Sequence, residues 1–171
     1  MAFVLLAAAL LATTVRGPAD VQAMTFSADA VVHGRVAGAR SHPGSGGGLI
    51  FTEVSVLPIE WWKGAGGLQP IALRVEGGTI GDIGQTVAGA PAFAPGDEVV
   101  VFLRRIATGL YEVERFGLGK FLVRPGAGGQ VRATRERSRV SCVGCGTLEE
   151  DDFALENLRE RVRRAAGPAS R

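Results

Sequence analysis

Two cysteines separated by two residues, Cys142-Val143-Gly144-Cys145, are the sharpest chemical motif in this sequence. Thiols so spaced either close a tight disulfide or form a redox pair whose first thiol has a lowered pKa. A thioredoxin-like site places its first cysteine at the start of a helix, after a strand; here the helical pattern follows the second cysteine. Residue 146 is glycine where a c-type haem attachment needs histidine. A zinc site would need two further ligands, and the only histidines, His33 and His42, lie about a hundred residues upstream in no zinc-finger spacing. His33 sits in a valine-rich strand pattern and reads as structural, while His42 lies in a glycine-rich stretch and reads as solvated. In an oxidising compartment the cysteine pair reads first as a structural staple. Thiol–disulfide exchange is the alternative. No Gly-X-Ser-X-Gly elbow occurs, so a hydrolase triad has no support. No metal, cofactor or catalytic residue is expected.

The second candidate is a surface and not a reaction centre. Residues Gly77 to Gly96 form a stretch of roughly twenty residues rich in glycine, with Pro91 and Pro95. Loops of this length inside a small domain are usually functional or disordered. It is no phosphate loop, because no Gly-Lys-Ser/Thr closes it. Ile80, Ile83, Val87 and Phe93 predict that it folds back over the domain. Adjacent Trp61 and Trp62 must point to opposite faces of a strand, so one is expected in the core and the other at the surface. An exposed tryptophan is a fair interaction anchor. The candidate binding surface is therefore Trp61, Trp62, Gly77, Gly78, Ile80, Asp82, Ile83 and Phe93. Arg132, Arg135, Arg137 and Arg139 make a basic run, but no stacking aromatics accompany it, and nucleic acid is not expected as a partner.

The elements that must hold these residues are mostly strands. Ala28–Ala39 is valine-rich and runs into a turn-forming stretch, Ser41 to Gly48. Leu49–Trp62 places Ile50, Thr52, Val54 and Val56 on one face, with Pro58 bending the strand or marking an edge. Ile71, Leu73 and Val75 alternate with Ala72, Arg74 and Glu76, a half-buried strand. Val99 to Leu103 is continuously apolar and suits a strand buried on both faces. Leu110–Phe116 alternates again, and Lys120–Arg124 and Gln130–Ala133 are short final strands. The exception is the C-terminus. Thr147-Leu148-Glu149-Glu150 reads as a capping box. Leu148, Leu155, Leu158 and Val162 then fall on one stripe, with acids in the first turns (Glu149 to Asp152) and Arg159, Arg161, Arg163 and Arg164 in the last. The arginines there read as helix electrostatics.

Composition sets the class. Of 171 residues 46% are hydrophobic and 21% charged, which excludes global disorder. Glycine (25) and proline (8) make up about a fifth of the chain without a collagen period, which favours many turns over long helices. A net charge of +2 selects neither a polyanion nor an acidic partner. Lysine occurs only at 63 and 120, the other 17 cations being arginine. Residues Ala2 to Ala12 are eleven consecutive apolar residues, too few to span a membrane and right for the core of an export signal, although no basic residue precedes them. Val21 and Ala23 suit the −3 and −1 positions of a cleavage site. A buried N-terminal helix is the alternative. No cysteine stands at the cleavage point to carry a lipid anchor. The expected organisation is a signal peptide over 1–23, a β-barrel domain over 24–140, and a Cys-X-X-Cys turn with an amphipathic helix over 141–171.

A wider pattern joins these pieces. Ala28-Asp29-Ala30-Val31-Val32-His33-Gly34-Arg35-Val36, then Thr52-Glu53-Val54-Ser55-Val56, Trp61-Trp62-Lys63-Gly64, and Gly96-Asp97-Glu98-Val99-Val100-Val101-Phe102-Leu103 follow in that order over residues 28–124. The chain in this respect resembles a group of uncharacterised exported bacterial proteins. In the order of its elements it is also similar to the netrin-like module of tissue inhibitors of metalloproteinases, a five-stranded OB-type barrel. That resemblance implies an extracytoplasmic barrel that binds and does not catalyse. The inhibitors act through a cysteine at the mature N-terminus, which this sequence lacks, so no inhibitory residue is carried over. The expectation is a mainly β protein: a small OB-like barrel, closed or partly open, of about five to seven strands with a C-terminal α-helix. Its expected role is a secreted or periplasmic non-catalytic module that binds an exported protein, a protease among the classes considered. It has no stable membrane anchor on this reading.

Overall fold

Each segment read as a strand from its alternation forms one in the computed structural model, which describes residues 13–45, 48–135, 140–145 and 151–167. In chain order the elements are β1 (Thr13–Arg16), α1 (Val21–Ser27), β2 (Ala30–Pro43), β3 (Ile50–Lys63), β4 (Ile71–Glu76), β5 (Gly78–Ile80) and β6 (Ile83–Gln85). They continue with β7 (Glu98–Ala107), β8 (Leu110–Val113), β9 (Lys120–Pro125), β10 (Val131–Arg135), β11 (Val140–Val143), β12 (Asp152–Ala154) and α2 (Leu155–Ala166).

Eight of the strands form one sheet in the order β12-β10-β9-β7-β2-β3-β4-β8, and a further pairing of β7 with β8 closes five of them into a barrel. The ring runs β7-β2-β3-β4-β8, with every pairing antiparallel except β4 with β8. This is the OB-like barrel expected, and the remaining strands extend it past β7. The β7–β8 pairing gives β8 a partner on each side, while β12 remains an edge strand.

The alternation decides which side chains fill the barrel. Val32, Val36, Val54, Val56, Leu73, Val99, Val101 and Leu103 point inwards and make one apolar cluster. Val100 and Phe102, between them in sequence, point out of the barrel into a second cluster with Trp62, Phe121, Phe153, Met24, Leu158 and Val162. The unbroken apolar run of β7 therefore serves two cores, one on each face. The two helices cover the outer cluster: α1 contributes Val21 and Met24, α2 contributes Leu158 and Val162.

Four local expectations need correction. Ser41, His42 and Pro43 are strand, paired with Thr52, Phe51 and Ile50, because β3 is long enough to carry β2 into what reads as a turn. Pro58 lies within β3 opposite Gly34, and the register slips at the next residue, Ile59, a bulge that absorbs the missing donor. β8 stops at Val113, and Phe116–Gly119 is a 3₁₀ turn. The C-terminal helix begins at Leu155, after a strand. Asp152 accepts from Arg132 at 2.7 Å and from the Thr134 hydroxyl at 3.0 Å, and Phe153 is buried against Phe121, so tertiary partners hold these residues extended along β10. The capping box at 147–150 lies outside the described residues.

α1 straddles Ala23, the residue after which the sequence predicts that an export signal is cut. Its Asp20 side chain caps the helix by accepting from the Ala23 N–H at 2.8 Å. The Lys63 ammonium closes the other end, donating to the carbonyls of Thr25 (2.7 Å) and Ala28 (2.6 Å). α2 is tied to β3 through Glu60, which accepts from Arg159 at 2.7 Å and Arg163 at 2.6 Å. Burial works to raise the Glu60 carboxyl pKa, but hydrogen bonds from Arg159 and Trp62 and the nearby arginine charges outweigh it, holding the group below the ordinary glutamate range. Among the described residues no helix is long and apolar enough to cross a membrane.

Candidate functional site

The glycine-rich stretch after β4 is neither plain cover nor plain loop. Its first part is a two-stranded hairpin, β5 with β6, joined by the two-residue turn Gly81-Asp82. Gly81 has φ +56°, the geometry a II′ turn requires at its first position. An isolated hairpin of three-residue strands is not stable in water, so its root must be held. Gly78 sits so close to the sheet that a β-carbon there would lie 2.3 Å from the hydroxyls of Ser41 and Thr52. Thr52 donates to the Gly77 carbonyl at 2.7 Å, the Thr79 N–H donates to Ser41 at 3.2 Å, and the Ile50 N–H donates to the Gln85 side chain at 2.6 Å.

The tip is the opposite of the root. Ile80 and Ile83 pair across the hairpin and are 37% and 70% exposed, with Asp82 exposed between them. The expectation that both isoleucines fold back onto the barrel is thus corrected: the hairpin turn directs them into solvent. The second part of the stretch does fold back. Phe93 packs against the barrel cluster, and the buried Lys120 ammonium lies 5.0 Å from its ring centre while donating to the Ala92 carbonyl. Between hairpin root and returning chain lies a cavity of about 260 Å³, lined by Thr52, Val75, Gly78, Gln85, Val87 and Phe93 among others. Gly77, Gly78 and Phe93 therefore meet in one place, with Ile80, Asp82 and Ile83 projecting from it.

The tryptophans stand apart from that surface. Trp62 is buried in the outer core, its indole N–H donating to Glu60 at 2.9 Å and its ring 5.7 Å from that of His33. Trp61 packs against the barrel cluster on the opposite face of β3 and donates to the Gly67 carbonyl at 3.1 Å, leaving it half-buried. The expected exposed partner of the pair is therefore tucked under its own following loop. His33 is buried and donates to Glu98 at 2.8 Å, a structural role as read from sequence. Of the basic run, Arg132 is paired with Asp152 and Arg135 is buried over the Phe121 ring at 4.6 Å; Arg137 and Arg139 lie outside the described residues.

Cys142 and Cys145 are bonded to one another, with their Cα atoms 5.8 Å apart. Cys142 lies on β11, whose parallel partner β1 sets Val15 beside it. Cys145 is buried with Val15, Ala19 and Leu118. Thiol exchange needs an accessible sulfur and an electropositive setting; here the bond closes the turn that follows β11, with Cys145 in an apolar cluster. Replacing both cysteines by serine is then expected to cost about 2 kcal/mol of stability, the chain-entropy value for so short a loop. Urea denaturation checks this, and loss of an insulin-reducing activity with no loss of stability would restore the exchange reading. Among the described residues no group of three or more His, Cys, Asp or Glu side chains is placed to hold a metal ion.

No family model, no curated protein and no solved structure matches this chain.

Proposed function

We propose that this protein is an exported, non-catalytic binding module that presents the β5–β6 hairpin to a protein partner. The observation that carries the reading is the contrast within that hairpin: a root held by hydrogen bonds to β2 and β3, and a tip that exposes Ile80 and Ile83. Two large apolar side chains held rigidly in solvent cost the free protein solubility and gain it nothing, whereas a partner's pocket would bury both. The apolar run Ala2 to Ala12 supports export.

Cross-linked pull-downs from the exported fraction of the source cells test this, comparing the protein with its Ile80→Ser/Ile83→Ser variant. The expected result is a protein enriched by the wild type and lost by the variant, while Leu68→Ser, exposed elsewhere, keeps it. Exposed-site substitutions of this kind shift stability by only about 0.5 kcal/mol, so the folded state survives in all three. Identical recoveries from wild type and hairpin variant would overturn the reading.

A further inference from the structure

The barrel closes through its weakest joint. β4 and β8 pair only at Ala72–Leu110 and Leu73–Tyr111, and beyond those residues the two parallel strands diverge. A cavity of about 370 Å³ occupies the split, lined by Arg74, Val75 and Glu76 on one side and by Glu112, Val113 and Glu114 on the other. That volume lies at the lower end of the range for ligand sites.

The walls of the split are strand edges. The Ala72 N–H donates to the Gly109 carbonyl across the joint at 3.3 Å, so by the two-residue alternation of a strand the backbone groups of Arg74 and Glu76 face the same way, into the opening. On β8 the Glu114 N–H donates to Phe102 on the far side, which leaves the backbone of Val113 facing the opening. The charges around it are balanced. Arg74 and Arg104 each hold one oxygen of Glu112, Arg104 at 2.7 Å, so no net field selects a polyanion or polycation.

One end of the opening is strained. Arg115 and Phe116, both lining it, have φ of +52° and +54°, left-handed conformations that neither residue type favours. Strain of this kind persists where the surroundings impose it, and it concentrates at ligand clamps. It turns the Arg115 guanidinium toward the N-terminal strand, where it donates to the Arg16 carbonyl. Its Nε is buried without a hydrogen-bond partner, 3.8 Å from Glu114.

We propose that this split binds a short extended peptide, which completes the barrel as an inserted strand and offers a carbonyl to the Arg115 guanidinium at its rim. Free backbone groups on both walls and a balance of charge match a peptide backbone and not an anionic polymer. The site is separate from the hairpin tip and stands whether or not the hairpin binds a partner.

Insertion between two strands has a signature that docking on a single edge lacks. An inserted strand uses both of its edges, so N-methylation at odd or at even positions should each weaken binding by about tenfold, one lost hydrogen bond to a buried partner. The probe is acetyl-Val-Ala-Val-Ala-amide and its two N-methylated forms, titrated into ¹⁵N-labelled protein. Saturable shifts at Arg74, Glu76, Val113 and Arg115, with binding weakened by either methylation and by Arg115→Gln, are the expected result. Several outcomes would overturn the proposal: no shifts at millimolar peptide, weakening by only one methylation pattern, or the same amides responding to maltotetraose or a thymidine tetranucleotide instead. Shifts confined to residues 80–83 would overturn it too, while leaving the hairpin reading in place.

Discussion

A chain beginning at Met24 is expected to unfold at a clearly lower urea concentration than one beginning at Thr13, with a deficit of at least about 3 kcal/mol. The shorter chain loses the Asp20 cap of α1, a loss of about 1 kcal/mol. It also loses the buried side chain of Val21, for which burial contributes about 1.5–3 kcal/mol. The four-residue pairing of β1 with β11 goes as well, together with the Ala19 carbonyl that accepts from the buried Arg135 at 3.1 Å. Since small domains hold only about 5–15 kcal/mol in total, the change is large enough to see in any denaturation curve. Equal midpoints would mean that residues 13–23 contribute nothing to the fold. The comparison also bears on export, because Ala23, the processing point expected from sequence, lies inside α1. The intact mass of the protein isolated from its source cells tells whether the chain is cut after Ala23.

Phe121→Ala is expected to destabilise the protein by about 3–5 kcal/mol, the usual cost of emptying a buried phenylalanine site. Phe121 lies on β9, fully buried, with its ring 5.9 Å from those of Phe102 and Phe153 and under the Arg135 guanidinium. These contacts join β9 to β7, β10 and β12, so the cavity would sit where four elements meet and none can collapse into it alone. Phe121→Leu, which keeps most of the volume, should cost about 1.5 kcal/mol or less, within the range for volume-conserving swaps. Thermal unfolding followed by near-ultraviolet circular dichroism measures both. A loss for the alanine variant no greater than that of the leucine variant would show the outer layer to be loosely packed, and α2 a removable cover.

Much of this architecture was legible from local pattern, because burial on one face of a strand writes itself into every second residue. Ile71, Leu73 and Val75 are inside the barrel as their alternation required, and the unbroken run Val99 to Leu103 is buried on both faces. Glycine clusters marked the turns. The glycines of the stretch from Gly77 to Gly96 marked it off from the long strands on either side.

What sequence pattern could not decide were the long-range pairings. Asp152 to Ala154 carry helix-compatible residues, yet Arg132, Thr134 and Phe121 draw them into a strand, because partners distant in sequence outweigh a weak local preference. Ile80 and Ile83 were expected to fold back over the domain and instead point outwards, because a two-residue turn, and not hydrophobicity, sets which way they point. Trp61 and Trp62 were rightly expected on opposite faces, but only the loop packed over Trp61 determined how much of it remained in solvent. The split between β4 and β8 has no local signature at all. It exists because a parallel joint of two residue pairs closes a ring of otherwise antiparallel strands, and ring closure is a property of the whole sheet. Sequence thus determined which residues seek burial, through a periodicity each strand carries alone. Tertiary structure decided which strands meet, and so where the fold leaves backbone and side chains free to bind.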